Sequence, residues 1–281
     1  MSSLIGMLPS VLMIVSPILI TACGGMICER SGVVNIALEG LMGIGAFAAA
    51  AFHVLNEVAL GGASVWIALL VGAICGMIMS LIHAFASISL NADQTISGTG
   101  INLIVNGITI FMAQILFNAD RTQPYQMGMK PIMSLGGIYP TAFIALAVVL
   151  IVWFVMYKLP FGLRLRACGE HPQAAASVGI KVKKIRYIAV LTSGFLGGLA
   201  GGCLVLTQTI QFTSTTINGA GFIALAAVSF GRWRPAGISL SSLLFGAAVA
   251  FSIYVVNIPS LKNLLPSEFF SLLPYVITII A

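Results

Sequence analysis

The sequence predicts an all-α, polytopic membrane bundle of about eight or nine spans, some of them broken or half-length, and three observations carry that prediction. Hydrophobic residues make up 59% of the chain, charged residues only 7%, and mean hydropathy is +1.08. A soluble domain carries roughly 25% charged residues, so a water-facing surface of ordinary size cannot be built. The apolar residues fall in long runs, many near the ~20 residues that cross a hydrocarbon core as helix. The cations are clustered: Lys158, Arg164, Arg166, Lys181, Lys183, Lys184 and Arg186 hold seven of the thirteen basic residues.

The runs fall at about 8–28, 33–55, 64–90, 96–117, 140–158, 187–207, 219–231, 236–257 and 268–281, bounded by polar or Gly/Pro punctuation. In the first, Ile20-Thr21-Ala22-Cys23 superficially resembles a lipoprotein cleavage site. Residues 1–22 contain no Lys or Arg, however, so the run reads as a retained helix. The run 219–231 is too short to span, which predicts a half-helix or an irregular continuation, tolerated where it lines a protein-enclosed cavity. The last run, 268–281, breaks off in hydrophobic sequence, which predicts a chain that continues. No segment is long or polar enough for a separate soluble domain, so residues 1–281 read as one transmembrane domain.

Lys and Arg are retained on the cytoplasmic side of a bilayer. Placing the basic segment there and alternating sides puts Arg30, the segment itself and Arg232/Arg234 inside, ten basic residues in all. Arg121, Lys130 and Lys262 fall outside, making three. The N-terminus is then outside and the C-terminus inside. The net charge of +6 follows from this topology, with anionic lipid or an acidic partner surface as an addition. No basic patch is interleaved with aromatics in the manner of a nucleic-acid site.

Glu39 is the sharpest local signal. It lies four residues after Asn35, on one helix face, in a run entered from the cytoplasm. A charge at mid-helix costs roughly 2.5–3.5 kcal/mol, less near the border, so Glu39 faces a cavity, a partner or the protein interior. It is either a lining or gating residue, or a structural carboxyl that is protonated or bonded to backbone. Glu29 and Arg30 read as a charge pair at a helix end. Asn102, Asn106 and Thr109 recur at i, i+4 and i+7 on one face of the run 96–117, with Ser97, Thr99 and Gln114 adding polarity elsewhere. Such amides bond a polar uncharged ligand, or serve as interhelical contacts at ~0.6 kcal/mol each. The hydroxyl- and amide-rich stretch from Thr207 to Asn218 reads as an outer binding surface or a solvated loop.

Other chemistry is not indicated. Five scattered cysteines form no CxxC pair and read as packing residues. His53 and His83 have no second ligand at metal spacing, so no metal or other cofactor is expected. Neither a catalytic motif nor Gly-x-x-x-x-Gly-Lys-Ser/Thr occurs, so the chain is not expected to be an enzyme or to hydrolyse ATP through a P-loop of its own.

Within the segment 159–186, Pro172 suits the first turn of a helix and Gly179 its end. A short helix of small residues between cations is built to enter another protein's groove. Gln173-Ala174-Ala175-x-x-x-Gly179 is similar to the Glu-Ala-Ala-x-x-x-Gly motif of the membrane subunits of bacterial ABC importers, with Gln for Glu. Glu29-Arg30-Ser31-Gly32-Val33-Val34-Asn35-Ile36-Ala37-Leu38-Glu39-Gly40 resembles the signature of the nucleoside/simple-sugar branch, which is related to ribose and branched-chain amino acid permeases. Gly221-Phe222-Ile223-Ala224-Leu225-Ala226-Ala227 and Phe230-Gly231-Arg232-Trp233-Arg234-Pro235 resemble it too, with Arg234 where the branch more often has Asn.

The resemblance implies a multi-pass protein of the bacterial inner membrane that pairs with a second permease subunit, identical or different. Cytoplasmic ATP-binding subunits would grip Glu170, Pro172, Gln173, Ala174, Ala175 and Gly179, and an extracytoplasmic binding (lipo)protein would deliver the ligand. Asn35, Glu39, Asn102, Asn106 and Thr109 are the candidate pathway residues. The expected cargo is a nucleoside, purine nucleosides first. The alternatives are a ribose-like sugar, or an ion-coupled secondary transporter working through Glu39.

Overall fold

A computed structural model describes residues 8–256, so the run 268–281 and Lys262 lie outside the described residues. Among the described residues ten α-helices follow one another: α1 Leu8–Arg30, α2 Leu38–Leu60, α3 Ala63–Ala84, α4 Gln94–Phe117, α5 Pro140–Lys158, α6 Pro160–Glu170, α7 Pro172–Ser177, α8 Val182–Gln208, α9 Ala220–Phe230 and α10 Pro235–Val256. A π-helical turn, Phe85–Ser89, extends α3. Seven helices among the described residues are long and apolar enough to cross a membrane: α1, α2, the extended α3, α4, α5, α8 and α10.

Helix boundaries follow local chemistry. Proline opens α5, α6, α7 and α10, because its fixed φ suits the first turn and its missing N–H would have no partner there anyway. Asp93 caps α4 by accepting from the Ile96 amide at 2.9 Å, and Asn118 ends it in the left-handed conformation. Two runs are displaced from their helices. Val33 and Val34 are apolar but not helical: Gly32 turns the chain with φ +85°, and α2 starts only at Leu38. Conversely, α8 begins at Val182, before the apolar run at 187, since its first turns are the cationic Lys183, Lys184 and Arg186.

The core is centred on α8, which packs against α1, α2 and α3. The contact is backbone to backbone. A Cβ on Gly198 would stand 2.3 Å from the Gly72 carbonyl, one on Gly45 2.3 Å from the Gly198 carbonyl, and one on Gly201 2.0 Å from the Met42 carbonyl. Small residues permit this approach, and with no hydrophobic drive inside lipid such packing is a main source of helix association. Gly198→Leu is therefore expected to destabilise the protein by about 3 kcal/mol, at the upper end of overpacking costs. Loss of the monodisperse peak and a lowered melting temperature in detergent would show it; an unchanged melt would refute the packing argument.

At one end of the bundle the segment after α4 folds against the end of α8. Thr122, Tyr125 and Met129 donate backbone N–H groups to Phe212, Ile210 and Leu206 at 3.1, 3.0 and 2.8 Å. Tyr125 places its hydroxyl on the carbonyls of Val205 and Thr209, and burial pushes its phenol up to about 12. His53 is held between Met127 O at 2.6 Å and Ser64 Oγ at 2.8 Å. The opposite end gathers Arg30, the segment 159–186 and the Arg232/Arg234 turn, while Arg121 and Lys130 belong to the first end.

Candidate functional site

Helix α9 is half a span. Its 11 residues rise about 16 Å, against a hydrocarbon core of about 30 Å. The chain reaches its start through the non-helical stretch 209–219, which enters the bundle far enough for Phe212 to meet Phe47 edge-on at 5.4 Å. There the first amides of α9 find Glu39. One carboxylate oxygen accepts from Gly219 N at 2.8 Å and the other from Gly221 N at 2.7 Å. The first N–H groups of a helix lack intrahelical acceptors and carry the positive end of its dipole, so a carboxylate satisfies both needs. Glycine is required at both positions. Gly219 has φ +84°, and a Cβ on Gly221 would lie 2.5 Å from the Glu39 backbone.

The neighbouring amides are engaged as well. Asn35, fully buried, donates to Ser193 Oγ at 2.8 Å and accepts from Ala37 N at 3.2 Å. Asn102 reaches from α4 to the start of α2, accepting from Gly40 N at 2.8 Å and donating to Ile36 O at 3.0 Å. Thr109 is buried and bonds back to Asn106 O at 3.1 Å. Asn106 differs: it is exposed near the middle of α4, and its side chain has no hydrogen bond among the described residues.

Thr95, Thr99 and Gln114 are also exposed. At 100° per residue these three and Asn106 fall within an arc of roughly 100°. The polar stripe is therefore real, but its open members are Thr95, Asn106 and Gln114, whereas Thr99 bonds back to the carbonyls of Thr95 and Ile96 at 2.9 and 3.1 Å and Asn102 and Thr109 are likewise bonded within the chain. Spacing alone placed Asn102, Asn106 and Thr109 on one face. Only the positions of Ile36 and Gly40 show which amide is already bonded.

At the basic end, Glu29 and Arg30 correct the expectation of a simple helix-end pair. The Trp233 indole donates to Glu29, and Arg30 donates to the Trp233 carbonyl at 3.3 Å through Nε and Nη2. Nη1 of Arg30 also lies 3.6 Å from Glu170, just before α7. The turn they grip is strained, with Arg232 and Trp233 at φ 51° and 52°, which costs of order 1–2 kcal/mol per residue. Arg186 binds the carbonyls of Ser31 and Cys168 at 3.1 and 3.3 Å, fastening α6 to the turn after α1.

On α7, Gln173, Ala174 and Ala176 are exposed, as is Val178 just beyond it, whereas Ala175 is only 4% exposed and faces the protein's own core. Gly179 turns the chain with φ +82°. The outward face of this helix is thus Gln173, Ala174 and Ala176, and Ala175 is its inward anchor.

A polytopic helical bundle with a broken helix clasped at its centre and an exposed polar stripe along one spanning helix has the architecture of a membrane permease. The family profile described as the permease component of branched-chain amino acid transport systems matches residues 7–281, and the chain belongs to that family. It is similar to the guanosine ABC transporter permease protein NupQ of Bacillus subtilis strain 168, at 44% identity over 97% of this chain and 89% of that protein. The nucleoside ABC transporter permease protein NupC of Lactococcus lactis subsp. cremoris is 39% identical over 94% of this chain and 87% of its own length. A putative glucose ABC transporter permease protein, TsgC13 of Haloferax volcanii, is 33% identical over 90% and 78%. The chain is an integral membrane protein.

Proposed function

We propose that this chain is the permease subunit of an ATP-driven importer of nucleosides, with purine nucleosides as its first substrates. The observation that carries the reading is the exposed polar stripe on α4, with the unbonded side chain of Asn106 near its middle. An unbonded amide costs several kcal/mol in hydrocarbon, so Asn106 faces water, ligand or a second permease subunit across a pathway. Uncharged amides and hydroxyls offer both donors and acceptors to a ribose or a nucleobase without demanding a charge. The names of the relatives, guanosine and nucleoside permeases, agree with that chemistry.

In this reading the end bearing Arg30, residues 159–186 and Arg232/Arg234 faces the cytoplasm of a bacterial inner membrane. Separate ATP-binding subunits dock on the outward face of α7, and a substrate-binding lipoprotein delivers cargo at the opposite end. The contacts of Glu170 with Arg30, and of Arg30 with the α9–α10 turn, give docking a route to the half-helix. A sugar permease is the second reading, favoured by the similarity to TsgC13. An ion-coupled carrier using Glu39 lacks comparable support, because both carboxylate oxygens already accept backbone amides.

Labelled guanosine and labelled ribose offered to the assembled transporter in proteoliposomes test the proposal. ATP-dependent uptake of guanosine is expected; uptake with ATP depleted and an ion gradient intact would overturn it. Asn106→Leu is expected to lower uptake by about tenfold, the loss of one hydrogen bond worth ~1.4 kcal/mol, with an unchanged melting temperature. Unimpaired uptake would remove Asn106 from the pathway.

A further inference from the structure

Two grooves run into one another on the flank between α5 and α8. Both helices pack on α1 and scarcely touch each other. This leaves a furrow of about 390 Å³ floored by Ile27 and walled by Val152, Met156, Leu196 and Leu199. At its basic end the furrow reaches Phe161, and Phe161 also lines a second cavity of about 720 Å³. That cavity carries Arg164, Lys181 and Lys184. Ile188 of the second cavity and Thr192 of the furrow are one turn apart on α8, so the wall is continuous. All three cations are exposed, and none has an ion-pair partner among the described residues, where the salt bridges are Arg30–Glu170 and Arg121–Asp120.

We propose that this groove holds an anionic glycerophospholipid, its phosphate headgroup against Arg164, Lys181 and Lys184 and one acyl chain along the furrow. Depth supports the assignment. The spanning helix α8 starts at Val182 and α5 ends at Lys158, so the three cations lie at the level of headgroups and the furrow at the level of hydrocarbon. The shape is amphipathic in the same direction as a lipid. A free phosphate leaves the furrow without an occupant. A peptide segment would bury backbone amides against walls that are apolar apart from Thr192. A zwitterionic headgroup brings a fourth cation to a site that already holds three.

The transporter, purified with the subunits that accompany it, would be exchanged into detergent with equal phosphatidylglycerol and phosphatidylcholine, and its retained lipid measured by native mass spectrometry. Phosphatidylglycerol is expected to be retained in about hundredfold preference, the factor that three interfacial cations supply. Inorganic phosphate or glycerol phosphate is expected not to displace it. The combined variant Arg164→Gln, Lys181→Gln, Lys184→Gln is expected to abolish the preference. Leu199→Trp, which fills the furrow and leaves the cations, is expected to lower retention at least tenfold. Equal retention of the two lipids, displacement by free phosphate, or full retention in Leu199→Trp would each overturn the proposal. So would cross-linking of Lys184 to an ATP-binding subunit in complexes that hold no lipid. The competition between lipids on the unaltered protein decides the matter even if a variant does not fold.

Discussion

Glu39→Ala is expected to abolish uptake and to lower stability by about 3 kcal/mol, since two hydrogen bonds to a charged group are lost and two helix-start amides are left without acceptors. The carboxylate closes on Gly219 N and Gly221 N at 2.8 and 2.7 Å, and the start of the half-helix has no comparable side-chain anchor among the described residues. Glu39→Gln keeps one acceptor but sets its NH2 group against the second amide. It is therefore expected to fall between the parent and the alanine variant in both melting temperature and uptake. The order parent, Gln, Ala in both measurements identifies a clasp that positions α9. An alanine variant that melts with the parent and still transports would show that the half-helix is held by packing alone.

Ala174→Trp should remove ATP-driven uptake while leaving ligand capture by the binding protein and the melting temperature unchanged. Ala174 is exposed on the outward face of α7, so an indole there meets no part of this chain but obstructs any partner groove that accepts small residues. A loss of ~2–3 kcal/mol of docking energy, the range of an interface hot spot, lowers coupled transport by about thirty- to a hundredfold. The same change at Ala175 is not diagnostic, because that side chain is buried against its own protein and the variant would fail by misfolding. Normal uptake in Ala174→Trp would place the ATP-binding subunits elsewhere.

Much of the architecture was legible from composition and punctuation. Hydropathy found the spanning helices to within a few residues wherever proline or a polar cluster marked the start, as at Pro140 and Pro235, whereas α6, from Pro160, lies in a segment that reads as a loop. The shortness of 219–231 disclosed the half-helix, since length is a property of sequence alone. Partners across the bundle were not legible. Nothing near Glu39 in the chain points to Gly219, 180 residues away, and thirty glycines do not reveal that Gly45, Gly72 and Gly198 meet. Glu29 and Arg30 were misread for the same reason: adjacency in sequence suggested a pair, while the indole and carbonyl of Trp233 lie more than 200 residues downstream. Polar side chains on a membrane helix are especially ambiguous, because a bonded Asn102 and an open Asn106 present identical periodicity.

The first turn of α2 accommodates two different attachments within five residues. Asn102 of α4 holds Ile36 and Gly40, and Glu39 between them holds the start of α9. The two attachments share one short piece of backbone, so α4 and α9 do not slide past each other without breaking charged or amide hydrogen bonds at hydrocarbon depth. They form the two edges of a single stiff leaf hung on α2. While these four hydrogen bonds hold, a passage that opens beside α4 carries α4, the start of α2 and the start of α9 together.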